Sequence, residues 1–574
     1  MTEFRKVLDA ATPVTIGGVP DGAEAFVLAD IAGAAFAAGA DLPALAVYVA
    51  RDGQRQQLIE QALDFAAPEI EVLSLPAWDC QPYDRTSPNA VVIARRMATL
   101  SRLVRSRGGE RPRVVVTTVN AILQRVPPVA WIKRESLSFA PGNALDMNEI
   151  ARWLDINGFQ RTGTVRDAGE YAVRGGILDL FPPGMDNPIR LDFFGDTLES
   201  LRSFNPETQR TIGQLHALEL LPMAEFQMTT EAIKRFRTGY TATFGAPGRD
   251  DALFEAISEG RRFPGMEHWL PLFHGGLDSL LDFTPGARIV LDPLAGQAAE
   301  ERLTQIADYY DARKAALENK AAGVPYKPLP CKELYLSPAE WQAANGAAGS
   351  VHLSGFIAPE VSGRTVIHVE GRKGHSFAAE RAVEGASVFE AVVAHVRAQQ
   401  KAGRKVVLAS WTAGSRERLA GVLADHGLTQ AKPIRARREV AALAGNEVGL
   451  AVFGLESGFD LDDLTVISEQ DILGERLSRP KRAQKRGKDF LTEVSSLSAG
   501  DLVVHVEHGI ARFVGLKTIE AAGAPHDCLE LHYAGGDRLF LPVENIELLT
   551  RYGSEDAEAA LDKLGGGGWP ARKG

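Results

Sequence analysis

Cysteine is scarce: Cys80, Cys331 and Cys528 are the only three in 574 residues, and they lie far apart. That spacing excludes a disulfide framework and a CxxC metal site. No run approaches the roughly 20 uninterrupted apolar residues that a membrane helix requires. The opening MTEFRKVLDAATPV carries acids and no long apolar run, so it is not a secretory signal. A cationic excess is also missing, with 63 Lys+Arg against 74 Asp+Glu and a net charge of -11. This argues against a broad nonspecific nucleic-acid surface and leaves room only for local basic patches. No GK[ST] phosphate loop occurs, and no internal repeat. The absences together describe a cytoplasmic protein that works through protein contacts.

What is present is ordinary globular material, 45% hydrophobic and 24% charged. The length is too great for one core and implies about three to five domains. Over 1–131, apolar strands at Leu42–Ala50 and Arg113–Val119 alternate with helices at Gln54–Phe65 and Ala90–Arg105. From 132 to 225 a helix at Asn148–Asn157 precedes strands Gly175–Phe181 and Ile189–Phe194, joined by a turn at Pro182-Pro183-Gly184. Residues 226–340 are mixed, with a helix at Ala298–Glu318 and a loop at Gly323–Pro330. A second α/β unit, 350–475, has a helix Val388–Ala402 and strands Lys405–Ala409, Gly449–Phe453 and Leu464–Ser468. A basic linker follows at 476–496, including RLSRPKRAQKRGK. Residues 497–552 are all-β: Leu529, Leu531 and Tyr533 share one face, Glu530 and His532 the other. Gly535-Gly536 reads as a two-residue hairpin turn into Arg538–Val543. The fold class is therefore multidomain α/β ending in a small SH3- or Tudor-like barrel. The close, GGGGWPARKG, reads as a cut rather than a natural terminus.

The segment Gly17-Gly18-Val19-Pro20-Asp21-Gly22-Ala23-Glu24 spaces Gly17 and Gly22 as a GxxxxGK[ST] loop does, ahead of a helical run. Ala23 stands where the lysine would neutralise phosphates, and Glu24 where the hydroxyl would hold Mg²⁺. A carboxylate there repels a triphosphate, so the loop is degenerate. His505, Glu507 and His508 resemble a metal trio, but strand alternation splits them, and a turn at Gly509 explains them better.

LPAWDCQPYDRTSP, VIARRMATL and VTTVNAILQRVP resemble the opening domain of UvrB-type excision-repair proteins, and GEYAVRGGILDLFPPGMDNPIRLDFFGDTLESLRSF resembles their second domain. GDLVVHVEHGIARFVGLKTIE with DCLELHYAGGDRLFLPVENIELLTRYG resembles the polymerase-interacting domain shared by CarD-type regulators and bacterial transcription-repair coupling factors. RYG and LGGGGW match the lead-in to that family's DNA-translocating motor, which is absent here. The resemblance, from about residue 10 to 574, implies the N-terminal half of a coupling factor.

It implies UvrA docking at Arg174, Arg190 and Phe194, where arginine forks bind carboxylates and an exposed Phe anchors. On the residues alone, the arginines may equally solvate the strand, and one of Phe193 and Phe194 must face inward. It also implies contact with the RNA polymerase β subunit at Ile519, beside Lys517 and Thr518, through an open strand edge. Ile519 reads equally as core. Leu450–Arg476 faintly echoes a helicase motif but lacks its arginines, so the role of 350–475 stays open. The implied chain is a docking scaffold without catalysis or cofactor; ATP, Mg²⁺ and DNA contact belong to the family's motor. The alternatives are a CarD-like regulator, which would not bind UvrA, and an active UvrB-like helicase, which the missing lysine opposes.

Overall fold

The computed structural model describes residues 2–105, 111–182, 185–220, 222, 224–248, 251–318, 326–383, 387–474, 502–505, 508–521, 524–542 and 549–551. The basic linker 476–496, the segment 553–574, residues 323–325, the turn residues Pro183-Gly184, and Glu507 lie outside them.

The runs AVYVA (Ala46–Ala50) and RVVVTT (Arg113–Thr118) are buried at every position, as strands covered on both faces must be. They pair in parallel at the centre of a seven-stranded sheet. Its order is Thr365–His368, Val14–Gly17, Ser350–Leu353, Arg288–Leu291, Ala46–Ala50, Arg113–Thr118, Glu71–Leu75, and every pairing is parallel. The central strand begins at Ala46 rather than Leu42, beyond Pro43, which has no N–H for a ladder. Helix Gly53–Ala66 starts where Asp52 accepts the Arg55 amide at 2.8 Å. Two strands that fall inside the expected bounds of the second α/β unit, 350–475, belong to the first sheet instead: Ser350–Leu353 and Thr365–His368 flank Val14–Gly17. The first sheet thus runs on to His368.

Residues 137–226 form an insert. Leu137–Phe139 and Leu218–Leu220 pair at its neck, bringing the chain out where it went in. Beyond the neck lies a six-stranded sheet ordered Thr211–Leu215, Thr197–Phe204, Ile189–Phe194, Ile177–Leu180, Glu170–Arg174, Gln160–Arg161, antiparallel except for the last pairing. One face joins Ile150 and Leu154 of helix Met147–Ile156 in a core with Leu178, Leu191 and Leu201.

The second α/β unit is a six-stranded mixed sheet centred on Lys405–Ser410, with Leu464–Ser468 and Val448–Val452 parallel on either side. Helix Glu24–Ala37 lies between this unit and the first sheet. Its sequence EAFVLADIAGAAFA is apolar almost all round, as a helix covered on opposite sides must be. Phe26 on this helix meets Phe453 and Phe459 of the second unit and Phe65 of the first. Each such buried ring contributes about 1.5–3 kcal/mol.

Residues 502–551 contain a five-stranded antiparallel sheet ordered Arg538–Pro542, Ala524–His532, Gly509–Ala521, Leu502–His505, Leu549–Arg551. Leu529, Leu531 and Tyr533 are buried with Phe513 and Val503, following the alternation. A closed barrel is not among the described pairings, which leave the outer strands Arg538–Pro542 and Leu549–Arg551 unjoined. The hairpin turn has three residues, Ala534–Gly536, because the Tyr533 amide already donates to Asp537 O at 2.9 Å. Among the described residues no helix is long and apolar enough to cross a membrane.

Candidate docking surfaces

The insert's sheet buries part of its second face in a small core of Val165, Ala172 and Phe204 and leaves the rest outward. Gly175, at φ +61, and Gly176 make the hairpin turn that follows Arg174. A Cβ on Gly176 would lie 2.9 Å from Phe193 O, so the turn packs closely on the neighbouring strand. Along Ile189–Phe194 the alternation is clean. Ile189 and Leu191 are buried, Phe193 packs against the core, and Arg190, Asp192 and Phe194 face out. Phe194 is 78% exposed, which decides between the two phenylalanines. Cross-strand pairs Arg174↔Ile177 and Ile177↔Asp192 put Arg174 on the same face. Its guanidinium donates to two neutral oxygens, Gly163 O and Thr164 Oγ1.

Arg190 differs. Register sets it opposite Asp179, and the two form a bidentate pair at 2.7 and 2.8 Å. Asp179 holds Arg190 firmly charged, and the guanidinium lies 4.8 Å from the Phe204 ring centroid. Two of this arginine's five N–H donors are therefore spent inside the fold. Two neighbours escaped the sequence reading: Arg202, paired with Asp192 at 2.5 Å, and Ile212, 57% exposed on the edge strand. Their signal is the alternation of TLESLRSF and TIGQL, which becomes readable only once the register is known.

In the C-terminal sheet, strand Gly509–Ala521 pairs with Leu502–His505 only through Gly509–Arg512. With Ala524–His532 it pairs from Arg512 to Ala521. Residues 513–521 therefore have one strand neighbour among the described residues, Ala524–His532. On strand Gly509–Ala521, Lys517 is exposed, 3.8 Å from the Glu530 carboxylate, while Thr518 and Ile519 are half-buried. A register shift at Gly515 leaves Leu516 54% exposed and Val514 beside it in solvent, a second apolar element that strand alternation alone would not reveal. On the adjoining strands His532, Lys517 and Arg538 surround Glu530 and hold its carboxyl below the usual range. The His505 and His508 rings stack at 4.6 Å ahead of Gly509, at φ +83. Among the described residues no group of His, Cys, Asp and Glu could hold a metal ion.

The degenerate loop connects strand Val14–Gly17 to helix Glu24–Ala37. Gly22 is at φ +96, and Ala23 is fully buried. Glu24, 1% exposed, accepts the Gly22 amide at 2.7 Å through one oxygen and the Arg55 guanidinium through the other. Burial pushes its carboxyl up to about 7 against the pull of Arg55. Arg55 also pairs with Asp21 at 2.5 Å and lies 3.4 Å from Asp292. The mouth of the loop is covered. A Cβ on Gly17 would stand 2.8 Å from Ala358 N, and one on Gly22 2.9 Å from Ser457 O.

Residues 137–226 match the UvrB interaction domain family, and residues 497–553 match the CarD-like/TRCF RID domain family. The first match contains the Arg174–Phe194 face and the second contains the hairpin strand Gly509–Ala521. Over 517 residues the chain is 32% identical to the transcription-repair-coupling factor of Rickettsia bellii, covering 90% of this chain and 44% of that protein. It is 31% identical to the Escherichia coli factor over 518 residues, 87% of this chain and 42% of that one. With the Haemophilus influenzae factor it shares 30% over 564 residues, 96% and 46%. The chain therefore spans a little under half the length of these relatives.

Proposed function

We propose that this chain, related along most of its length to the N-terminal half of transcription-repair-coupling factors, is a two-sided adaptor that performs no chemistry itself. One side is the hairpin around Ile519, which adds a strand to the β subunit of a stalled RNA polymerase. The other is the face around Arg174 and Phe194, which recruits UvrA and with it the excision-repair machinery. DNA translocation, ATP and Mg²⁺ belong to the part of the relatives that this chain does not span.

The observation that carries this reading is the pairing of two recognised domains with two surfaces that the fold leaves uncovered. Phe194 stands in solvent on the same sheet face as Arg174, whose guanidinium donates to two neutral oxygens, which suits an aromatic anchor with a carboxylate-seeking cation on the same surface. The hairpin strand Gly509–Ala521 pairs along 513–521 with one strand among the described residues, which suits strand addition on its other side. The helicase alternative is opposed by the Glu24 carboxylate on the Gly22 amide.

The test is a sequential capture. RNA polymerase core is immobilised, this chain is added, and UvrA follows. Wild type should retain both. Ile519→Asp should lose the first step, while Phe194→Ala with Arg174→Glu should keep the first and lose the second. UvrA captured equally by the double variant would move the contact off this face, and polymerase captured without UvrA even by wild type would leave the CarD-like regulator.

A further inference from the structure

A buried carboxylate against a glycine amide at a strand-to-helix turn is more than a missing lysine. Helix Glu24–Ala37 spans 14 residues, and its N-terminus carries partial positive charge that favours an anion. Arg55, 3% exposed, is aimed at the same spot, and its Nε has no hydrogen-bond partner although Asp292 lies 3.4 Å away. A buried guanidinium in that position requires an anion beside it. Asp21 is half in solvent, whereas Glu24 is enclosed and reaches both the amide and the guanidinium.

We propose that the Gly17–Glu24 loop is a working oxyanion site whose resident ligand is the chain's own Glu24 carboxylate. Arg55 is the counter-cation, and the segments at 356–358 and 455–459 are the lid. The ligand class is a small carboxylate, since the backbone of Ala358 and Ser457 stands within 3 Å of where side chains on Gly17 and Gly22 would begin. That leaves room for the group Glu24 supplies and none for a triphosphate. Holding its own ligand also fixes the second α/β unit. Gly22 packs under Leu455 and Phe459, and Gln54 donates to Glu456 across the same seam at 2.9 Å. The inference does not depend on either docking partner.

The experiment is chemical rescue on the full chain. Thermal midpoints are measured in sodium formate and in sodium chloride at equal ionic strength. Wild type should give the same midpoint in both salts. Glu24→Ala should fall by several degrees in chloride and recover at least half of that in formate. Glu24→Gln keeps the acceptor for the Gly22 amide, fills the space and carries no charge to bury, so it should stay close to the wild-type midpoint and show no formate response. An alanine variant that responds to formate no more than wild type does would overturn the proposal. If that variant accumulates unfolded, refolding yield in the two salts replaces the midpoint, and equal yields overturn the proposal just as well.

Discussion

Arg55 and Arg174 both stand beside glycine turns, yet their surroundings are opposite. Arg55 is enclosed by Asp21, Glu24 and Asp292, and a second unit closes over it. Arg174 is exposed, donates to Gly163 O and Thr164 Oγ1, and shares a sheet face with the solvent-exposed Phe194. At the first, carboxylates supplied by the chain surround the buried cation, because a buried cation left alone costs several kcal/mol. At the second, the cation donates to neutral oxygens and the aromatic ring on the same face stands in water. Internal satisfaction, rather than burial alone, separates the two.

The harshest way to break the comparison is Arg55→Ala. Two enclosed carboxylates, Glu24 and Asp292, lose their shared cation, and stability measured by urea unfolding should drop by about 3–5 kcal/mol. Arg174→Ala at the open site should leave the same curve within about 0.5 kcal/mol. Phe194→Ala should likewise spare the fold while costing about 2–4 kcal/mol of UvrA affinity by calorimetry, as a buried interface anchor does. An unchanged affinity would move the anchor to Ile212 or remove the surface altogether.

The third prediction sharpens the contrast through pH. The Glu24 carboxyl rises from 4.5 to about 7 on folding, chiefly by burial. A group raised in the folded state contributes stability below its unfolded value and loses it as pH climbs through the folded one. Unfolding free energy should therefore decline between about pH 4.5 and 7, by at most about 3 kcal/mol. Glu24→Gln should flatten that part of the profile, whereas Phe194→Ala should leave its slope untouched.

Much of this was legible in the sequence. Leu529, Leu531 and Tyr533 declare their buried face by alternation, and helix Ala90–Arg105 has the ends its periodicity indicates. Gly17, Gly22 and Glu24 gave the degenerate loop, but not Arg55, which sits on another helix. What was hidden is non-local. Ser350–Leu353 and Thr365–His368 are short apolar runs that suit either sheet, and only parallel pairing with Val14–Gly17, more than three hundred residues earlier, assigns them. The partner of Arg190 was hidden for the same reason. Asp179 lies eleven residues away in sequence and directly opposite in register, a fact fixed by the hairpin and not by composition.

Arg190 is the intermediate case, and it makes the finest cut. It faces out with Phe194, as the family resemblance implies, yet Asp179 holds both ends of its fork. Arg190→Ala would leave the buried Asp179 carboxylate without its cation, so unfolding should cost about 1–2 kcal/mol less. Arg174→Ala should show no such loss. Both should weaken UvrA capture, but Asp179→Asn beside Arg190→Ala separates their causes. Relieving the stranded charge should restore stability without restoring UvrA affinity if Arg190 touches the partner. It should restore both if Arg190 only braces the sheet beneath Phe194.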